Sequence, residues 1–148
     1  MKLQDILNVK GSAVHSISPD ASLEEVVRTL VERRIGSLVV CGPDAGEKAT
    51  LLGIITERDI LHACLPGKKP LAEAKVADAM STELVTGSPD DEVEQVMGLM
   101  TTRRIRHLPV LAEGRLAGII SIGDVVKAQL DSLALENRFM KDYISNTR

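Results

Sequence analysis

The chain has 148 residues, 44% of them apolar, enough for one compact domain or two small halves sharing a core. Lys and Arg total 18 against 21 Asp and Glu, a net charge of −3, and aromatic residues make up 1%; the basic excess of a phosphate-backbone binder and the rings of a base-stacking platform are both missing. Cys41 and Cys64 keep no zinc spacing and read as reduced, buried thiols, and His15, His62 and His107 stand singly, so no metal is expected.

In chain order, a lead-in at 3–7 (Leu3-Gln4-Asp5-Ile6-Leu7) precedes a short strand over 13–17, which Pro19 ends. Ser22 then caps a helix, with Glu25 three positions on completing a capping box. Leu23, Val26, Val27, Leu30 and Val31 share one helical face, and Gly36 is read as the stop. The β-branched runs 37–41 and 50–56 predict buried strands joined by a turn-rich loop containing Gly42-Pro43-Asp44-Ala45-Gly46-Glu47. A helix over 57–64 stops at Pro66-Gly67, and Lys68-Lys69-Pro70-Leu71 reads as a connector.

The same grammar then returns. Val76-Ala77-Asp78-Ala79-Met80 resembles the first lead-in, followed by a strand over 84–86, a helix over 91–103, strands over 107–111 and 116–121, and a helix from 122 onward. Pro19-Asp20 and Pro89-Asp90 lie 70 positions apart, and the same offset carries Arg33-Arg34-Ile35 onto Arg103-Arg104-Ile105. Gly53-Ile54-Ile55-Thr56 maps onto Gly118-Ile119-Ile120-Ser121, and Asp59 onto Asp124. The second copy's first helix starts more weakly, because Glu92 stands where Ser22 caps. The expectation is an α/β (α+β) fold of two β-α-β-β-α repeats about a pseudo-twofold axis: repeat 1 over 1–67, connector and repeat 2 over 68–128, and a helical extension over 129–148.

Paired strand-Pro-Asp-helix units, Leu108-Pro109-Val110 and the Gly-Ile-Ile-Ser-x-x-Asp run resemble tandem CBS domains, the Bateman module, over roughly residues 1–128. The resemblance implies a regulatory, non-catalytic sensor binding adenosine-containing ligands such as AMP, ADP, ATP or NAD(H) in clefts between the repeats. No effector domain accompanies the pair here, so the module would stand alone.

The residues themselves place the chemistry where a strand hands over to a helix. At Thr56 and again at Ser121, first-turn amides carry partial positive charge suited to phosphate. The hydroxyl adds a donor, and Asp59 or Asp124 can accept both hydroxyls of a ribose. Thr-x-x-Asp and Ser-x-x-Asp are equally helix-capping patterns, and capping alone accounts for both pairs. Ile54 and Ile119 share a strand face with those hydroxyls and are candidates for the floor of an adenine slot, though ordinary core explains them as well. By resemblance, Val85 and Thr86 would cover the Asp59 cleft, Val14, His15 and Ser16 would cover the Asp124 cleft, and Arg106 and His107 would face the Asp59 cleft, with Arg58 helping against phosphate charge. The matching Gly36-Ser37 carries no charge. The Asp59 cleft should therefore prefer the more highly charged phosphate end, and the Asp124 cleft a monophosphate or the adenosine half of a dinucleotide. Arg33-Arg34 and Arg103-Arg104 read as basic, solvated helix ends.

The helical pattern continues past Asp124. Val126, Leu130, Leu133, Asn137, Met140 and Ile144 follow alternating four-three spacing, a coiled-coil seam with one polar position, beside an i, i+4 pair of Phe139 and Tyr143. The expected partner is a second copy in a homodimer; a helix folded back on its own module and a docking helix for another protein are the alternatives. No leader is read at the amino terminus and no apolar run reaches about 18 residues, so a soluble, cytoplasmic chain free of membrane and nucleic acid is expected. The competing function is a ligand-free interaction scaffold. An enzyme is disfavoured for want of a nucleophile–base pair, a metal cluster or a P-loop.

Overall fold

The computed structural model describes residues 1–11, 13–42 and 50–146; the turn-rich stretch 43–47 lies outside them. The first copy holds α1 (Leu3–Lys10), β1 (Ser16–Ile17), α2 (Leu23–Arg33), β2 (Ser37–Cys41), β3 (Leu51–Thr56) and α3 (Glu57–Ala63). The second holds α4 (Val76–Ala79), α5 (Val93–Arg103), β4 (His107–Ala112), β5 (Arg115–Ser121) and α6 (Ile122–Asn146). In the first sheet β1 lies parallel to β2 and β2 antiparallel to β3; β4 and β5 form a second, antiparallel sheet.

The helices start and stop for local reasons. Ser22 Oγ accepts from the Glu25 amide at 3.1 Å, so half of the expected capping box forms. The return bond from Glu25 does not; instead the backbone on either side of Ser22 is stitched to residues 74–76, Leu23 N donating to Ala74 O and Val76 N to Ala21 O, both at 2.9 Å. Glu92 gives α5 no side-chain cap, and the Val93 amide donates to Met1 O instead. Gly36 does not end α2. Arg34 does, in the left-handed conformation at φ 54°, with the Ile35 amide closing onto Leu30 O at 3.1 Å. Arg104 repeats this at the end of α5, where Ile105 N reaches Met100 O at 3.0 Å.

The second copy lacks its expected first strand. In the first copy the Val39 amide donates to His15 O at 3.2 Å, and β1 pairs with β2 at Ser16 and Ile17. The position matching Val39 is Pro109, which has no N–H to offer Val85, the counterpart of His15. The ladder shrinks to one bridge at Gly87, whose amide donates to Pro109 O and whose carbonyl accepts from Leu111 N, both at 2.9 Å. The first strand is itself shorter than expected, two residues rather than 13–17.

Two apolar cores result, and the lead-in helices are exchanged between them. Leu23, Val26, Leu30, Leu38, Val40 and Ile55 of the first copy bury Val76 from α4. Val93, Val96, Met100, Leu108, Val110, Ile120 and Val125 of the second bury Leu3, Ile6 and Leu7 from α1. The stitching is pairwise equivalent: Leu3 N donates to Asp91 O and Gln4 N to Pro89 O, just as Val76 N donates to Ala21 O and Ala77 N to Pro19 O. Close approach explains Gly53 and Gly118. A Cβ at Gly53 would stand 2.7 Å from Ser81 O, and one at Gly118 would stand 2.6 Å from Leu7 Cδ2. Val31, expected on the buried face of α2, is 72% exposed. The cysteines also depart from expectation: Cys64 is exposed and Cys41 half-buried, because α3 turns Cys64 outward at its end and Cys41 ends its strand.

Candidate functional site

Thr56 closes β3 and opens α3. Its Oγ1 accepts from the Asp59 amide at 3.4 Å, while Asp59 Oδ2 accepts from the Thr56 amide at 2.9 Å and from Thr56 Oγ1 at 3.2 Å. Ser121 and Asp124 repeat the box at the start of α6, with the Asp124 amide donating to Ser121 Oγ at 3.1 Å and the Ser121 amide to Asp124 Oδ2 at 2.8 Å. Both pairs are thus reciprocal caps. Helix α3 has only seven residues, so its N-terminal field is weaker than that of α6.

Beside Thr56 lies a cavity of about 300 Å³ between the two copies, at the lower end of the range for small-molecule sites. Of the residues singled out in the sequence, it gathers Ile54, Thr56, Arg58, Val85, Arg106 and His107. Asp59 and Thr86 are not on its wall, and the Asp59 carboxylate is folded back onto its own cap. The cavity adds Gly36, Glu57, Ser81, Glu83, Arg104 and Pro109, which sequence reasoning did not place there. Arg104, read as a solvated helix end, reaches it because the left-handed turn after α5 redirects the chain. Three guanidinium groups and one imidazole therefore face two carboxylates.

The wall at Val85 has a specific chemistry. Pro109 cannot donate to the Val85 carbonyl, and among the described residues neither that carbonyl nor the Val85 amide has a hydrogen-bond partner. Adjacent to it, Ile54 is fully committed, its amide donating to Ser81 O at 3.0 Å and its carbonyl accepting from Ser81 N at 2.9 Å.

The second cleft is arranged differently. Lys10, from the end of α1, donates to Asp124 Oδ2 at 2.6 Å and to Ile119 O at 2.8 Å. Asp124 lines a groove of about 470 Å³ with Ile6, Val9, Lys10 and Lys127. Val14, His15 and Ser16 stand outside both cavities, as do Ile119 and Ser121. The His15 carbonyl is already taken by the Val39 amide. Lys10 was legible only by extending the lead-in alignment past Leu7 and Met80, where Lys10 falls opposite Glu83.

Burial of Asp124 alone would raise its pKa, but the hydrogen bond and charge of Lys10 and the bonds from Ser121 outweigh it and hold the carboxyl below its ordinary 3.8. Burial, followed by the Lys10 charge, pushes His107 below 6.5 against the opposing pull of Glu57 and Asp124. His107 thus feels charges belonging to both clefts. Among the described residues no group of three His, Cys, Asp or Glu could hold a metal ion, and no helix is long and apolar enough to cross a membrane.

The family model described as the CBS domain matches residues 6–66 and again 76–131. The mitochondrial CBS domain-containing protein CBSX3 of Arabidopsis thaliana is 34% identical over 96% of this chain and 71% of its own length. The crystal structure of a CBS-domain-containing protein from Agrobacterium tumefaciens superposes with a TM-score of 0.80 at 41% identity, covering 86% of this chain and 92% of the other. A hexameric CBS-CP12 protein from bloom-forming cyanobacteria superposes with a TM-score of 0.70 at 27% identity, over 85% of this chain and 69% of that one. Tandem CBS domains are commonly regulatory, ligand-binding modules, and by its repeats, its fold and its relatives this chain belongs to the CBS-domain family, carrying two copies in tandem.

Proposed function

We propose that the chain is a non-catalytic sensor of adenosine-containing ligands (AMP, ADP, ATP or NAD(H)), that it works as a homodimer, and that its ready site is the cavity at Thr56. The observation that carries this reading is the unpartnered backbone of Val85 on the wall of that cavity. Adenine offers an amino donor next to a ring-nitrogen acceptor, and one residue's C=O and N–H answer both. Ile54 supplies the apolar floor, Thr56 a ribose contact, and Arg58, Arg104, Arg106 and His107 answer the phosphates. Asp59 joins the ribose once its carboxylate leaves the Thr56 cap. The second cleft lacks these features, since its matching carbonyl is consumed by Val39 and its acid by Lys10. Ligand reaching both copies at once favours one inter-repeat geometry, and the output is that shift in population.

Calorimetric titration with AMP and IMP tests this. Hypoxanthine reverses the donor and acceptor that Val85 would meet, so AMP should bind about tenfold more tightly or better, the cost of one or two mispaired buried groups. Arg106→Ala should weaken ATP more than adenosine. Equal affinity for AMP and IMP would contradict the reading. A second reading, a scaffold without ligand, is favoured by the fact that both Thr/Ser–Asp pairs are already satisfied as caps; no binding of any adenine nucleotide at millimolar concentration would establish it.

A further inference from the structure

Helix α6 runs for 25 residues, but only its first two turns belong to the module. Ile122, Val125 and Ala128 pack into the second core. A neighbouring face, about 100° round the helix, carries Val126, Leu130, Leu133 and Met140, which are 45%, 60%, 55% and 61% exposed. Residues 133–142 are exposed without exception. A helix this far from its module is marginal in water unless its apolar stripe is covered.

The stripe has heptad order. With Leu130 and Asn137 at a, and Val126, Leu133 and Met140 at d, the flanking g position is Glu136 and the following e position is Lys141. We infer that α6 pairs with α6 of a second copy as a parallel, in-register two-stranded coiled coil. This rests on the homodimer stated above and specifies its face and direction.

Two features select that occupant. In a parallel pair, g meets e of the next heptad, so Glu136 faces Lys141 of the partner subunit, twice over by symmetry. In an antiparallel pair, e meets e and brings Lys127 towards Lys141 of the partner subunit. The seam's polar residue selects the same direction. Parallel packing sets Asn137 against Asn137 of the partner subunit, where the two amides bond each other; antiparallel packing sets it against an apolar d residue. From Leu133 on, the stripe extends beyond the residues of α6 that pack into the second core, so a second α6 can lie along it.

The test is sedimentation equilibrium of the full chain, alone and as Leu130→Glu/Leu133→Glu, with circular dichroism and AMP binding as controls. The wild type should be dimeric and the double variant a folded monomer. Direction is read by air-oxidising Asn137→Cys in a Cys41→Ser/Cys64→Ser background, which should cross-link the dimer nearly completely. A monomeric wild type overturns the inference and the homodimer together. A dimer that survives the double variant, or one that fails to cross-link at position 137, overturns the inference alone.

Discussion

At the scale of single residues, Lys10 and His107 set the electrostatics. Lys10 lies where the equivalent position in the other copy is Glu83, so one cleft's acid is held by an internal cation while the other cleft is lined by an anion. Lys10→Ala should release Asp124, moving its carboxyl pKa upward towards the ordinary 3.8, measurable by carbon NMR of the carboxylate. The stability cost at neutral pH should be small, about 1 kcal/mol or less, because the pair is partly solvated. His107 has a lowered pKa in the folded chain, so the unfolded chain binds the proton more readily. Its contribution is complete above the ordinary 6.5 and is lost as pH falls from there through the lower folded value. Urea denaturation at pH 7.5 and pH 5 should show that loss in the wild type and a smaller one in His107→Gln. An equal loss in both would exclude His107 as its source.

At the scale of elements, the informative difference between the copies is one proline. Pro109→Val restores an amide at the position matching Val39. It should pair with the Val85 carbonyl, lengthen the second sheet by a parallel strand and stabilise the chain by about 1 kcal/mol, the net worth of a hydrogen bond. It should also lower AMP affinity about tenfold, because the base loses its acceptor. A variant that is more stable and binds as well as the wild type would remove Val85 from the site. Most elements were legible in the sequence because each is announced locally: Ser22 as a cap, the β-branched run at 37–41, the Gly-Ile-Ile handover into α3 and α6. What was not legible depends on a distant partner. The missing strand at 84–86 follows from Pro109, and the end of α2 from a left-handed Arg34 that no propensity favours. In the site, side chains projecting from the handover at 54–58 and from 106–107 were found from the repeat and its family resemblance. Glu83, Arg104 and Lys10 were missed because loops and helix ends aim them.

At the scale of the whole molecule, the exchanged lead-ins couple two cores that stay distinct. Removing residues 1–10 takes Leu3, Ile6 and Leu7 out of the second core, all buried there. At about 1.5–3 kcal/mol per side chain, the loss rivals the stability of a domain this size. Hydrogen exchange on the truncated chain should show α5, β4 and β5 losing protection before β2 and β3. Uniform loss would mean that the cores are not separable. A ligand in the cavity would use that coupling, since its wall combines Ile54 and Thr56 from one copy with Arg106 and His107 from the other.

On the proposed reading, two clefts that look alike in sequence differ in readiness to take a ligand. Amide chemical-shift mapping during an AMP titration, with the stoichiometry taken from the same samples, measures that directly. One AMP per chain, with the largest shifts at Val85, Arg106 and His107 and little change at His15 or Lys10, is the expected result. Two AMP per chain, or shifts centred on His15, Lys10 and Asp124, would contradict it.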